Sequence, residues 1–321
     1  MTNQIQNHQN YSDAQFPQIA REDEIDLREL FSVIWQGKWL IIAITALFSI
    51  GSVIFAINQP NIYKADALLA PTEAEQGSGG LAALAGQFGG LASMAGINLG
   101  GGGGDKTDLA IQVIKSRQFL GDFIQKHQIL PELMAVDAWN MADNSLSFDP
   151  VLYNSDTKSW VREVKAPLKP EPSVQEAAKE FSKILFVSKA KETGMITVSI
   201  EHQSPYMAKQ WVDWIISDIN RVMKERDVAE AMRSTEFLNK QIELTTVADI
   251  RAILYKLIEE QAKTIMFAEV RDEYVFKTLD PALVPEEKAK PKRALICVLG
   301  TLLGGILGVA IILVRFVFRN E

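Results

Sequence analysis

Trp39–Ile57 reads WLIIAITALFSIGSVIFAI and Ala294–Val314 reads ALICVLGTLLGGILGVAIILV, and neither run contains a charged residue. At helical rise the two runs are about 28 and 32 Å long, close to the hydrocarbon thickness of a bilayer. They predict two membrane-spanning helices, because buried helices of that length in soluble proteins normally keep a polar stripe. The first run begins too far into the chain and is too long for the apolar part of a secretory signal. Asn58, Gln59 and Pro60 follow it, where a signal would carry small residues for cleavage.

Lys and Arg beside the runs set the side on which the intervening chain lies. Arg21, Arg28 and Lys38 precede the first run and only Lys64 follows closely, which favours a cytoplasmic N-terminus. At the second run, Lys288, Lys290, Lys292 and Arg293 outweigh Arg315 and Arg319, which argues the other way. The first helix usually sets orientation, and a long loop translocates largely regardless of its charge. The reading is therefore a multi-pass membrane protein with both termini cytoplasmic and the large middle part on the opposite side.

The net charge of -7 carries no nucleic-acid footprint. Cys297, the one cysteine, falls inside the second run, which excludes an intrachain disulfide. His8, His127 and His202 are isolated from one another, with no pair at metal-ligand spacing. Gly100–Gly104 followed by Asp105, Lys106 and Thr107 imitates a phosphate loop but has Asp where the glycine before the lysine must stand. No catalytic, cofactor-binding or metal-binding residue is expected.

Composition divides the rest. Residues 1–21, rich in Asn and Gln, read as a disordered cytoplasmic tail. In 22–38, Ile25, Leu30, Phe31, Val33 and Ile34 lie among Asp23, Glu24, Asp26, Arg28 and Glu29, predicting a cytoplasmic juxtamembrane helix with an acidic first turn. The spans occupy 39–57 and 294–314, and 315–321 is a cytoplasmic tail. Residues 58–204 form an α/β base. It starts with a strand in which Tyr63, Ala65, Ala67 and Leu69 alternate with other residues up to Pro71. A helix is expected over 105–125, an irregular proline-bearing stretch over 131–172, a short helix from Ser173, and strands over 184–187 and 195–200. Within the base, the Gly-rich segment 77–104 carries Leu81, Leu84, Phe88, Leu91, Met94 and Ile97. It reads either as a loose loop or as a surface packed on a neighbouring subunit or the membrane face.

Between Pro205 and Pro281 there is neither glycine nor proline, which favours continuous helix. A long hairpin over 205–273 follows, with Trp211, Ile215, Ile219, Val222 and Ala229 on one face of its first arm. Ile250, Leu254, Leu257, Ile265 and Ala268 mark the second arm, and Arg226 and Gln261 interrupt the seam. The turn is placed at Thr245, Thr246 and Asp249, where Thr246 and Asp249 have the spacing of a capping box. Residues 274–293 supply a return strand, Tyr274–Leu279, and a proline-rich approach to the second span marked by Pro281, Pro285 and Pro291. Within that span Gly300, Gly304 and Gly308 recur every fourth residue and leave one face flat for the first span of the same or an adjacent subunit.

The order of these parts carries a resemblance. Asp23-Glu-Ile-Asp-Leu-Arg-Glu-Leu-Phe before the first span, the strand with Tyr63, the helical middle, Leu279-Asp-Pro-Ala-Leu-Val-Pro-Glu, and Lys288-Ala-Lys-Pro-Lys-Arg-Ala at the second span resemble the Wzz-type polysaccharide co-polymerases. These are the chain-length determinants of bacterial surface polysaccharides, and the likeness runs from Asp23 to Phe318. It implies an α+β membrane protein, two transmembrane helices flanking a periplasmic α/β base with a long projecting helical hairpin, assembled as a homo-oligomer. It also implies no cofactor and no catalysis. The implied role is to regulate the length of an O-antigen or exopolysaccharide by modulating a glycan polymerase, with the growing polysaccharide as a further contact.

The Gly-rich segment and the Thr245–Asp249 turn lie closer to the exopolysaccharide branch, some members of which carry a tyrosine kinase after the second span. Only Arg315–Glu321 follow here, so no fused kinase is expected, and a separately encoded one stays open. The alternative role is a structural component of an exopolysaccharide or capsule export complex, working with an outer-membrane channel and that separate tyrosine kinase.

Overall fold

The computed structural model describes residues 27–72 and 104–320. The expected tail at 1–21, residues 22–26 of the juxtamembrane helix, and the Gly-rich segment up to residue 103 lie outside the described residues. In chain order the elements are α1 Leu27–Gln36, α2 Lys38–Asn58, β1 Tyr63–Pro71, α3 Gly104–Ile114, α4 Arg117–His127 and α5 Leu130–Met134. Two small pairs follow, β2 Val136–Trp139 with β3 Leu146–Phe148 and β4 Tyr153–Asn154 with β5 Ser159–Trp160. Then come α6 Val174–Ile184, β6 Leu185–Lys189, β7 Ile196–His202, α7 Pro205–Leu244, α8 Ala248–Val270, β8 Phe276–Asp280 and α9 Arg293–Asn320. The chain forms two compact units, 1–58 with 293–321, and 59–292.

In the first unit α2 and α9 pack on each other, and each is long and apolar enough to cross a membrane. α9 continues as helix to Asn320, so residues 315–320, expected as a tail, are helical. No glycine or proline intervenes between Ala310 and Asn320 to end it.

The second unit is built on a four-stranded antiparallel sheet in the order β6-β7-β1-β8. β1 pairs with β7 from Tyr63 opposite His202 to Leu69 opposite Ile196. The period-two pattern of β1 buries Tyr63, Ala65, Ala67 and Leu69 and exposes Lys64 and Asp66. α7 covers the buried face through Ala208, Trp211, Val212, Ile215 and Ile219, all fully buried. Burying each of the larger of these side chains contributes about 1.5–3 kcal/mol. A further layer joins through rings: Phe181 of α6 stacks on Trp211 at 5.6 Å and meets Phe123 of α4 at 5.3 Å.

Two expectations change here. The helix foreseen over 105–125 is two helices, because Ser116 leaves the helical conformation and caps α4 by accepting from the Phe119 amide. The stretch 131–172 holds α5 and the two strand pairs. Its proline-rich end is pinned by Arg162, which donates to the carbonyls of Lys169 and Pro170 and to the Glu176 carboxylate. Glu176 also completes a capping box with Ser173 at the start of α6. The Ser173 amide, together with Arg162, holds the Glu176 carboxyl below its ordinary pKa.

Candidate functional site

The glycine face of α9 meets the α2 of its own chain. A Cβ on Gly300 would overlap the Ser52 side chain, one on Gly304 would lie 2.7 Å from Phe48 Cβ and 3.1 Å from the Thr45 backbone, and one on Gly308 would lie 3.1 Å from Ile41 Cα. The three glycines thus let α2 approach until the backbones nearly touch, as small residues do between membrane helices. Polar atoms close the same seam: Thr301 Oγ1 lies 3.1 Å from Ser49 Oγ, and Arg293 Nε donates to the Ala56 carbonyl at 3.0 Å. Gly37, between α1 and α2, leaves room for Ile312 of α9.

In the second unit the proline-rich approach runs beside the beginning of β1. Ile62 and Lys290 exchange backbone hydrogen bonds, so the two strands of chain that connect the units lie next to each other at this point. Pro281 follows β8 directly, Pro285 is half-buried, and the bond before Pro291 is cis. Lys290 Nζ reaches Glu201 at 2.6 Å.

The hairpin turns at Thr245, Thr246 and Val247. The capping box expected from Thr246 and Asp249 is absent: the N-cap of α8 is Val247, which has no side-chain cap bond. α8 begins one residue later than the box requires, so Asp249 falls at the second helical position, where its charge still favours the positive helix end. The turn is closed from the other side by Arg251 Nε, which donates to the Thr245 carbonyl at 2.7 Å.

Sequence reasoning missed the polar groups that fasten the hairpin to the base. Asn220, 3% exposed, accepts from the amides of Val275 and Phe276 and donates to the Phe276 carbonyl, joining α7 to β8. Asp218, equally buried, takes Lys126 Nζ on one oxygen and His127 Nε2 at 2.9 Å on the other, joining α7 to α4. His127 stacks on Trp214 at 4.2 Å. Beside them a groove of about 680 Å³ runs between α4 and α7, lined by Gln118, Asp122, Lys126, Arg221, Glu225 and Arg226 among others. Its cations and anions balance, and it lacks the exposed aromatic plate or cluster of one sign that would select a ligand. A polar residue inside an apolar helical stripe was the available signal for Asn220, lying between Ile216 and Met223. Asp218 carries the same signal, three residues after Ile215 and four before Val222.

Among the described residues no group of three or more His, Cys, Asp or Glu could hold a metal ion. The described features are a close-packed helix pair in one unit and a hairpin braced by buried polar groups in the other.

Residues 23–127, which run from α1 through α4, match the Wzz family profile, "Chain length determinant protein". Residues 242–317, which include the hairpin turn, α8, β8 and most of α9, match the GNVR profile, "G-rich domain on putative tyrosine kinase". No curated protein matches the chain in sequence. A solved "full-length bacterial polysaccharide co-polymerase" is 15% identical, with 93% of this chain and 99% of that chain covered and a TM-score of 0.39. A "Fragment of WzzB, Polysaccharide Co-polymerase from Salmonella Typhimurium" is 11% identical, with 72% and 100% covered and a TM-score of 0.30. At those scores the two structures carry no argument about this chain. The chain is thus similar to the Wzz-type chain-length determinants over residues 23–127 and to the kinase-associated G-rich domain over residues 242–317.

Proposed function

We propose that the protein is a non-enzymatic, homo-oligomeric component of an exopolysaccharide or capsule assembly and export complex in the bacterial inner membrane, where it takes part in controlling polymer length. The observation that carries this reading is the presence in one chain of a chain-length-determinant segment at 23–127 and a kinase-associated G-rich segment at 242–317. The second favours export with a tyrosine kinase and an outer-membrane channel over O-antigen length control alone. In this reading α2 and α9 hold the protein in the bilayer, tails in the cytoplasm and residues 59–292 in the periplasm. The base keeps neighbouring copies in register, and the α7–α8 hairpin presents a stiff surface to the channel, the polymerase or the growing chain.

The second reading, modulation of a glycan polymerase without a part in export, is supported by the segment at 23–127. Deleting the gene and measuring both the amount and the size distribution of surface polysaccharide separates the two. Export predicts that surface polymer is lost or nearly so, and that the intact gene restores it. Modulation alone predicts an altered length distribution at a preserved amount. Unchanged amount and unchanged lengths would contradict both.

A further inference from the structure

α8 carries two apolar faces. Leu254, Leu257, Ile265 and Ala268 are half-buried or buried within the hairpin. Ala248, Ala252, Tyr255, Ala262, Met266 and Val270 form a second stripe, within an arc of about 80° at 100° per residue. Every one of these six is exposed; Tyr255 is 59% exposed, Met266 61% and Val270 83%. Only Glu259 interrupts the line. Contiguous apolar surface of this kind marks an interaction face.

The foot of that stripe coincides with the two ends of a long apolar piece of the chain. Phe267, 44% exposed at the stripe's edge, shares a depression with Thr264, Arg271, Thr72 and Lys106. Thr72 donates to the Tyr274 carbonyl at 2.5 Å, just beyond α8, and Lys106 Nζ lies 3.2 Å from the Asp227 carboxylate of α7. Residues 73–103 therefore leave and rejoin the described chain at the foot of α8. Their charged residues are Glu73 and Glu75, and no charge follows until Asp105. Leu81, Leu84, Phe88, Leu91 and Ala95 recur at alternating spacings of three and four, offering large side chains to set against the alanines of α8. Half of this segment reaches about 50 Å when extended, against about 27 Å from Val270 to Ala252 at helical rise.

We propose that the outer stripe of α8 is a docking surface whose occupant is this chain's own segment 77–103. Tethering at both ends keeps the segment at high effective concentration beside the stripe, which favours it over a second copy of the chain.

The test uses the full chain in native membranes with Cys297→Ala. Ala262→Cys is combined in turn with Leu81→Cys, Leu84→Cys, Phe88→Cys and Leu91→Cys, and the proteins are oxidised and run without reductant. At least one pair should give a cross-linked monomer of altered mobility as its main product. Cross-linked dimer as the main product from every reactive pair would assign the stripe to a second copy and overturn the proposal. Amide hydrogen exchange provides the independent reading. Phe88→Asp with Leu91→Asp should speed exchange across 255–270 at least fivefold while leaving 174–184 unchanged. Unchanged exchange at 255–270 would overturn the proposal, whatever the cross-linking yields.

Discussion

At the residue scale, two glycines in the membrane unit should respond in opposite directions. Gly304 faces the α2 backbone, whereas a Cβ on Gly51 would meet nothing within 4 Å. Gly304→Leu forces α2 and α9 apart and should cost about 1–3 kcal/mol of stability. Gly51→Ala should be neutral or gain about 0.5–1 kcal/mol by stiffening the helix. Thermal unfolding in detergent reads both, and equal behaviour of the two variants would count against the packing described. His202 provides a pH reading. It is 6% exposed, accepts from the Ser204 amide at Nδ1 and faces the Glu132 carbonyl with Nε2, so the neutral ring satisfies both partners. Burial pushes its pKa below the ordinary 6.5, against the two backbone bonds, which raise it. The unfolded chain gains a proton below 6.5 that the folded chain resists, so the stability due to His202 is full above 6.5 and is lost as pH falls toward its folded value. The carboxyl of Glu132, raised by burial, acts oppositely: its contribution is present below 4.5 and lost as pH rises through its folded value. His202→Gln should flatten the fall in melting temperature on acidification below 6.5, and an unchanged profile would remove His202 from this role.

At the element scale, the hairpin turn is where local chemistry is weakest. Val247 caps α8 without a side-chain acceptor and is 51% exposed. Val247→Asp supplies the missing acceptor and should stabilise the hairpin by about 0.5–2 kcal/mol, visible as slower amide exchange at 248–252. No change there would mean that the turn does not limit the opening of α8. The same turn shows how far the sequence could be read. The β-branched run Thr245–Val247 located the break, but which residue caps α8 depends on where the first helical residue falls, and composition leaves that open by one position. The alternation from Tyr63 to Leu69 gave β1 because one face is buried and the other is wet. β2 to β5 were illegible because strands of two to four residues are too short to show a period, and closing contacts such as Trp139 Nε1 to Asn144 are made only once the chain has folded. The meeting of Lys126 and His127 with Asp218 was illegible too, because they lie about ninety positions apart and nothing local fixes which charges pair.

At the scale of the whole molecule, the reading depends on the two apolar helices and on what separates them. α2 and α9 come from opposite ends of the chain yet pack through Gly300, Gly304 and Gly308, so the ends of the 59–292 unit are tethered by one helix pair. Within that unit the hairpin is braced to the base by Asn220 and Asp218. The central claim is that both helices cross the bilayer, with the tails on one side and residues 59–292 on the other. It is tested most directly by labelling single cysteines with a membrane-impermeant maleimide in intact cells whose outer membrane is permeabilised, in the Cys297→Ala background. Ser155→Cys should label fully in those cells, and Ser12→Cys only after the inner membrane is broken. Labelling of Ser12→Cys in intact cells, or protection of Ser155→Cys until lysis, would contradict the account.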